Sequence, residues 1–164
     1  MKKIIFLVLL LIGFTSVKAQ EIANIEVSNV LDDWHNAAAV ANFEKYFELL
    51  SDDAIFIGTD ATENWNKDSF KIFAKPFFDK GKAWSFISIK RHIFLSEDKK
   101  IAWFDELLNT QMKICRGSGV LVYKSGTWKI QQYVLSMTIP NDNTDEIIKI
   151  KAPIEDALLL KYRR

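Results

Sequence analysis

The chain has 164 residues, of which 22 are basic and 21 acidic, and it contains a single cysteine. A chain of this length forms one domain, and its balanced charge excludes the basic surface that a nucleic acid or another polyanion requires. The single cysteine excludes an intramolecular disulfide, so stability must come from the apolar core. Twelve Phe and five Trp residues supply the volume for that core, apart from Phe6 and Phe14 near the N-terminus.

The first 19 residues have the pattern of a secretory signal peptide. Two lysines precede a nearly unbroken apolar run from Ile4 to Phe14, and small residues lead to a cleavage position after Ala19. The run is shorter than the roughly 20 apolar residues that cross a bilayer, and no cysteine follows the cut. We therefore expect an exported protein, periplasmic or extracellular, with no stable membrane anchor after signal removal.

Helices are predicted in the first half of the mature chain. Apolar residues recur with helical spacing over 22–41, and Asn42 is placed to cap a second helix. A short buried strand is predicted at 54–58. A third helix is predicted over 66–80, where Asn66 suits the N-cap and Pro76 is expected to kink or end the helix.

After residue 81 the apolar period changes to two, which indicates strands at 84–95, 101–109, 117–123 and 128–138. Their short connections, including a tight turn at Ser125-Gly126, require antiparallel pairing. Helices followed by strands predict an α+β fold with the helices on one sheet face. On the last strand, the face that begins with Trp128 and Ile130 and continues through Gln132 is the predicted inner face. The tail at 143–164 is predicted to be helical in pieces, interrupted by Pro153.

Four stretches resemble the nuclear transport factor 2-like superfamily in its SnoaL-like branch: residues 56–63, 102–106, 116–121 and 126–130. The resemblance spans about 25–142 and divides the chain into a signal peptide (1–19), a SnoaL-like domain (20–142) and a C-terminal helical tail (143–164). It implies a cone-shaped, curved antiparallel sheet closed by the N-terminal helices, as in cystatin-like α+β rolls. It also implies a homodimer through the outer sheet face. Members of the superfamily include isomerase-like and dehydratase-like enzymes, polyketide cyclases and non-catalytic assembly modules.

Three residues are candidates for catalytic proton transfer: His35, Asp60 and Asp105. A carboxylate that faces an apolar cavity has a raised pKa and can act as a general acid or base. Structural alternatives exist, because Asp60 and Glu63 have the spacing of a capping box and a histidine at a helix edge is common in interfaces. Asp105 and Glu106 are neighbours on a strand, so only one of them can face inward.

A second set of residues is predicted to line a ligand pocket. Arg116 is the candidate clamp for a carboxylate-bearing ligand, with a structural ion pair to Asp105 or Glu106 as the alternative. Tyr46 is the candidate for placing a hydroxyl inside. The remaining aromatic candidates, which are otherwise core residues, are Trp65, Trp84 and Trp103. The remaining polar candidates are Glu63, Glu106 and Gln132.

The sequence predicts neither a metal nor a cofactor, because the two histidines lack metal-ligand spacing and no phosphate-binding glycine loop or nucleophile elbow occurs. Three functions stay open. The first is binding of a small, mostly apolar molecule in the cone. The second is a cofactor-independent lyase, isomerase or hydrolase reaction that uses a pocket Asp, Glu or His. The third is an oligomeric interaction module whose cavity is incidental.

Overall fold

The computed structural model describes residues 2–162 and the surroundings of side chains from residue 20 to 162. The side chains of the predicted signal segment, 1–19, therefore lie outside the described part. In chain order the elements are α1 (Lys2–Ala39), α2 (Phe43–Glu48), β1 (Leu50–Ile57), β2 (Asn64–Asn66), α3 (Lys67–Phe78), β3 (Ile87–Leu95), β4 (Ile101–Thr110), β5 (Lys113–Lys124), β6 (Thr127–Met137), a 3-10 turn (Asn141–Asn143) and α4 (Thr144–Tyr162). This order confirms the α+β prediction.

All six strands form one curved, unclosed sheet in the order β2-β1-β6-β5-β4-β3. The consecutive strands β3 to β6 are antiparallel as predicted, whereas β1 pairs with β6 in parallel. The first strand begins at Leu50, four residues before its predicted start, and β2 was not predicted. The hairpin turn at Ser125 and Gly126 has positive φ at both residues, the conformation that two-residue hairpins favour.

The helix caps agree with the sequence predictions. The side chain of Asn42 accepts a hydrogen bond from the Lys45 amide, and Asn66 accepts one from the Ser69 amide. Pro76 lies in the last turn of α3, which ends two residues later. The predicted interruption at Pro153 is wrong, since α4 is continuous across it.

Aromatic side chains fill most of the space between α1, α2, α3 and the concave sheet face. Trp34 on α1 stacks on Tyr46 of α2 at 4.8 Å between ring centroids and meets Tyr133 of β6 edge-on at 4.6 Å. Phe56 of β1 stacks on Phe70 of α3 at 4.0 Å. Stacked rings therefore fill much of the space between the helices and the sheet.

A β-bulge changes which residues of β6 face the core. Strand pairing with β5 shifts between Ile130 and Gln132, so the intervening residue has no opposite partner. Trp128 and Ile130 face inward as predicted, but after the bulge Tyr133 and Leu135 are the buried residues. The predicted inward position of Gln132 is wrong, because one extra residue moves every following side chain to the opposite face.

Candidate functional site

Glu106 is fully buried at the centre of β4. The strand alternates strictly, with Phe104, Glu106 and Leu108 buried and Asp105 on the outer face. This alternation shows that Glu106 faces inward and Asp105 does not, a choice that the sequence alone left open. A carboxylate in this position requires hydrogen-bond partners, since burying an unpaired charge is very costly.

Three side chains from three different elements supply those partners. The Nε2 atom of His35 on α1 lies 2.7 Å from Glu106 Oε1, and the Tyr133 hydroxyl donates to the same oxygen at 3.1 Å. Arg91 on β3 binds the second carboxylate oxygen, Oε2, with Nε at 2.9 Å and Nη2 at 2.8 Å. Glu106 is therefore bound at both oxygens, and Arg91 binds it through two nitrogens.

Arg91 also fastens α1 to the sheet. Its Nη1 atom lies 2.8 Å from Asp32 Oδ1 and donates to the hydroxyl and carbonyl oxygens of Ser28. Two carboxylates, those of Asp32 and Glu106, thus share one guanidinium.

The charges of this network set its protonation states. Burial alone would raise the pKa of Glu106, but the hydrogen bonds and positive charges of His35 and Arg91 outweigh burial and hold the pKa below its ordinary value. Burial, followed by the adjacent Glu106 charge, raises the pKa of the Tyr133 hydroxyl. Glu106 is therefore an ionised acceptor, and Tyr133 is a neutral donor.

Space for the network depends on a glycine of the neighbouring strand. Gly117 pairs with Glu106 across β4 and β5. A Cβ atom at this position would overlap the Tyr133 hydroxyl and lie 3.0 Å from Glu106 Cγ. The missing side chain therefore lets the hydroxyl reach the carboxylate.

A cavity of about 330 Å³ lies beside His35, between the end of α1 and the segment that enters β3. Polar side chains line much of it, and Phe86 meets the His35 ring edge-on at 5.9 Å. The lining residues are Asp32, His35, Asn36, Ala39, Ser85, Phe86, Ile87 and Ser88.

A second pocket, of about 160 Å³, has mostly aromatic walls and lies between α3 and the ends of β1, β2 and β6. Trp65 stacks on Phe73 at 4.5 Å and on Phe70 at 5.7 Å. The lining residues are Phe56, Gly58, Thr59, Glu63, Trp65, Phe70, Phe73, Trp84, Phe86, Gln111 and Leu135. Phe86 lines both this pocket and the polar cavity.

Glu63 is the one ionisable side chain among the residues that line this aromatic pocket. Its Oε2 atom accepts a hydrogen bond from the Asp60 amide, while Asp60 Oδ1 accepts from the Thr62 amide and hydroxyl. These hydrogen bonds hold the pKa of the Asp60 carboxyl below its usual value. The bond from the Asp60 amide to Glu63 is half of the capping box considered for this pair, while Asp60 itself bonds the Thr62 amide instead of the Glu63 amide. Asp60 itself lines a surface groove against α4 instead of the aromatic pocket.

Two of the charged candidates lie together on the outer sheet face. Arg116 is 54 % exposed, and its Nη1 atom lies 4.0 Å from Asp105 Oδ1. Asp105 also contacts His92 at 3.2 Å. The prediction that Arg116 points into the pocket is therefore wrong, since alternation along β5 places buried Cys115 and Gly117 on the inner face and Arg116 on the other.

The aromatic candidates divide among three places. Trp65 and Trp84 line the aromatic pocket, and Tyr46 is buried within the core, where burial raises the pKa of its hydroxyl. The predicted pocket position of Trp103 is wrong, because this residue lies on the outer sheet face, stacked on Phe94 at 5.9 Å.

Three residues that contact Glu106 or its partners were missing from the predicted site: Arg91, Tyr133 and the exposed Asp32. Arg91 precedes Ile93 and Leu95 by even steps, and that period-2 pattern is the signal by which it could have been found. Tyr133 was hidden by the bulge in β6. Asp32 has no such signal, since an acid on a helix is usually solvent-exposed.

Neither a metal cluster nor a membrane span appears in the described part of the chain. Over those residues no three or more His, Cys, Asp or Glu side chains converge as metal ligands. No helix there is long and apolar enough to cross a bilayer.

Comparison with known proteins identifies relatives of the fold. The family model described as "SnoaL-like domain" matches residues 27–140, which is more than half of the chain. A search of curated protein sequences finds no significant match.

Solved structures agree with this match. A nuclear transport factor 2-like protein of unknown function from Pseudomonas putida superposes with a TM-score of 0.63 and 11 % identity, covering 75 % of this chain and 92 % of that one. A protein of cystatin-like fold from Nostoc punctiforme superposes with a TM-score of 0.58 and 10 % identity, covering 70 % of this chain and 90 % of that one. A candidate scytalone dehydratase from Novosphingobium aromaticivorans superposes with a TM-score of 0.61 and 12 % identity, covering 75 % of this chain and 89 % of that one. At such identities the likeness establishes the fold alone.

Proposed function

Because the chain belongs to the SnoaL-like domain family, whose fold is compatible with both ligand binding and isomerase or dehydratase activity, we propose that it binds a small, mostly apolar molecule in the aromatic pocket. The observation that carries this proposal is the pocket of about 160 Å³ with walls of Phe and Trp rings. Ligand sites are typically apolar concavities with a few placed polar groups.

The size and polarity of the pocket define the chemistry of the ligand. A cavity of about 150 Å³ accommodates a benzene-sized molecule, so a single ring fits here. Glu63, Gln111 and Thr59 provide polar groups in the lining. Since the charged group is a carboxylate, a ligand with an amino or hydroxyl group is favoured over the carboxylate-bearing ligand that Arg116 had suggested.

The test uses three ring compounds of the same size that differ in charge: benzylamine, benzyl alcohol and benzoate. Titrations follow the fluorescence of the tryptophans, two of which line the pocket. We expect quenching by benzylamine and benzyl alcohol at lower concentrations than by benzoate. Native mass spectrometry of protein purified from its own cell envelope then shows whether a small molecule is retained.

Two variants of α3 locate the binding. Phe73→Ala removes a ring that stacks on Trp65 and is expected to weaken binding, whereas Ile72→Ala alters a neighbouring side chain that is 78 % exposed and outside the pocket. Equal affinities of the two variants, or no quenching by any of the three compounds, would contradict the proposal.

The proposed cellular context is export, supported by the signal-peptide pattern of residues 1–19. N-terminal sequencing of protein from the native host is expected to begin at Gln20. A mature protein that retains Met1 or the apolar run would contradict export by this route.

Self-association through the outer sheet face is a second candidate role, favoured by the exposed Phe94 and Trp103 rings that stack there. Contiguous exposed apolar patches are typical of protein interaction surfaces. Sedimentation of the mature protein is expected to show a dimer that Trp103→Glu converts to a monomer. If the unsubstituted mature protein sediments as a monomer, the outer sheet face does not mediate self-association.

A further inference from the structure

Three rings of the aromatic pocket are incompletely buried. Phe73 is 39 % exposed, and Trp65 and Trp84 are half-buried, whereas Phe70 is buried among the lining residues. Both tryptophans contact Phe70, Trp65 at 5.7 Å and Trp84 at 6.1 Å between ring centroids. The rings that border the open space therefore come from β2, α3 and the segment that enters β3.

Among the described residues that line this pocket, Glu63 carries a negative charge and none carries a positive charge. The backbone of Glu63 is fixed in a tight turn, since its carbonyl accepts from the Gly58 amide at 3.1 Å and its amide donates to the Asp60 carbonyl at 3.0 Å. Its Oε2 atom accepts a hydrogen bond from the Asp60 amide, which is an uncharged donor. A carboxylate accepts about four hydrogen bonds, so Glu63 retains the capacity to bind a cation.

The position of the Glu63 carboxylate depends on a glycine at the end of β1. A Cβ atom at Gly58 would overlap Glu63 Oε2. The missing side chain therefore lets the carboxylate lie against the strand end, beside the aromatic walls.

Two lysines of α3 lie over rings outside the pocket. Lys71 Nζ is 5.9 Å from the centroid of the Phe47 ring, and Lys75 Nζ is 5.7 Å from that of Phe43. Neither ring belongs to the pocket lining. These two ammonium groups therefore do not occupy the space beside Glu63.

A methylated ammonium ion suits this combination of rings and one carboxylate. A cation within about 6 Å of the face of an aromatic ring is attracted to it, most strongly by Trp. A primary ammonium has three N–H donors that need acceptors, whereas a fully methylated one has none and presents only methyl groups to the walls. Its size is close to that of benzene, which a cavity of about 150 Å³ accommodates, and the pocket measures about 160 Å³.

We propose that the aromatic pocket binds the methylated ammonium group of a small cationic molecule. Trp65, Trp84 and Phe73 supply the ring faces, and Glu63 supplies the counter-charge. This binding mode rests on the proposed function, because it requires the aromatic pocket to be a ligand site.

The experiment compares choline with 3,3-dimethylbutan-1-ol, which has the same shape but a carbon atom in place of the charged nitrogen. Titrations of the mature protein follow tryptophan fluorescence. We expect choline to bind at least about 5-fold more tightly, within the range that a cation–π contact supplies. Equal affinities, or tighter binding of the alcohol, would overturn this proposal, and binding of benzyl alcohol in the same preparation would show that the proposed function nevertheless holds.

Two variants test the counter-charge. Glu63→Gln is expected to remove most of the preference for choline and to leave the affinity for 3,3-dimethylbutan-1-ol unchanged. The matched control is Asp68→Asn, which removes a negative charge from the exposed first turn of α3, outside the pocket lining, and is expected to keep the preference. Full retention of the preference in Glu63→Gln, or an equal loss in both variants, would overturn the role of Glu63.

A further measurement does not depend on the folding of any variant. The proton NMR signal of the choline methyl groups is expected to move upfield when the unmodified mature protein is added, because the faces of aromatic rings shield nearby protons. A signal that stays in place or moves downfield would show that the ammonium group does not lie over the rings.

Discussion

Replacing Glu106 by glutamine removes the charge on which the buried network depends. One carboxylate oxygen accepts from His35 and Tyr133, and the other accepts from Arg91. Glutamine keeps the shape but has a single acceptor oxygen, so one of these two sets of donors must face an NH₂ group. Removing one partner from a buried ion pair costs about 3–5 kcal/mol of unfolding free energy, because the remaining charge is left uncompensated.

Urea denaturation, followed by tryptophan fluorescence and circular dichroism, measures this loss. With a denaturant dependence of about 1–3 kcal/mol/M, the midpoint of Glu106→Gln should fall by more than about 1 M. The matched control is Asp105→Asn, the same chemical change one residue away on the outer face, where exposed ion pairs contribute about 0–1 kcal/mol. If Glu106→Gln loses no more stability than Asp105→Asn, the carboxylate does not hold the network together and the reasoning is refuted.

Three further predictions follow from the same structure. Folding lowers the pKa of Glu106 from about 4.5, so the carboxylate contributes fully to stability above that pH. This contribution is lost as the pH falls through the pKa of the folded state. The urea midpoint should therefore decline on acidification, and the decline should be shallower for Glu106→Gln. Gly117→Ala should lower the free energy of unfolding by about 1–3 kcal/mol, because the added Cβ overlaps the Tyr133 hydroxyl. Ser118→Ala on the outer face should change the urea midpoint little. If Gly117→Ala is as stable as the unmodified protein, the Tyr133 hydroxyl lies elsewhere. Deleting α4 should lower the free energy of unfolding by less than about 0.5 kcal/mol, since none of its side chains is buried. A large loss of stability would mean that α4 packs on the domain.

The helix caps and the strand period were predictable because they depend on neighbours in the sequence. Asn42 and Asn66 each cap a helix whose first amides lie three residues ahead, and that spacing is visible in the chain. The amphipathic stripe of α1, with Val27, Leu31 and Trp34, was likewise predictable from a 3.6-residue period.

The faces of β6 were not predictable beyond Ile130. The bulge before Gln132 depends on how β5 and β6 pair, and no residue type in this stretch requires it. The prediction therefore assigned Gln132 to the interior and missed Tyr133. The same limit applies to Arg116, whose orientation follows from the pairing of β5 with both of its neighbours.

The sequence by itself determined the α+β class, the family and the amphipathic elements, because local periodicity and motif order are properties of one segment at a time. The tertiary structure alone decided that Glu106, rather than Asp105, faces inward and that His35, Arg91 and Tyr133 converge on it. His35 and Glu106 lie 71 residues apart and meet only when α1 packs against the concave sheet face. A buried carboxylate needs hydrogen-bond partners that are close in space, and the spacing of residues along the chain does not show which residues these are.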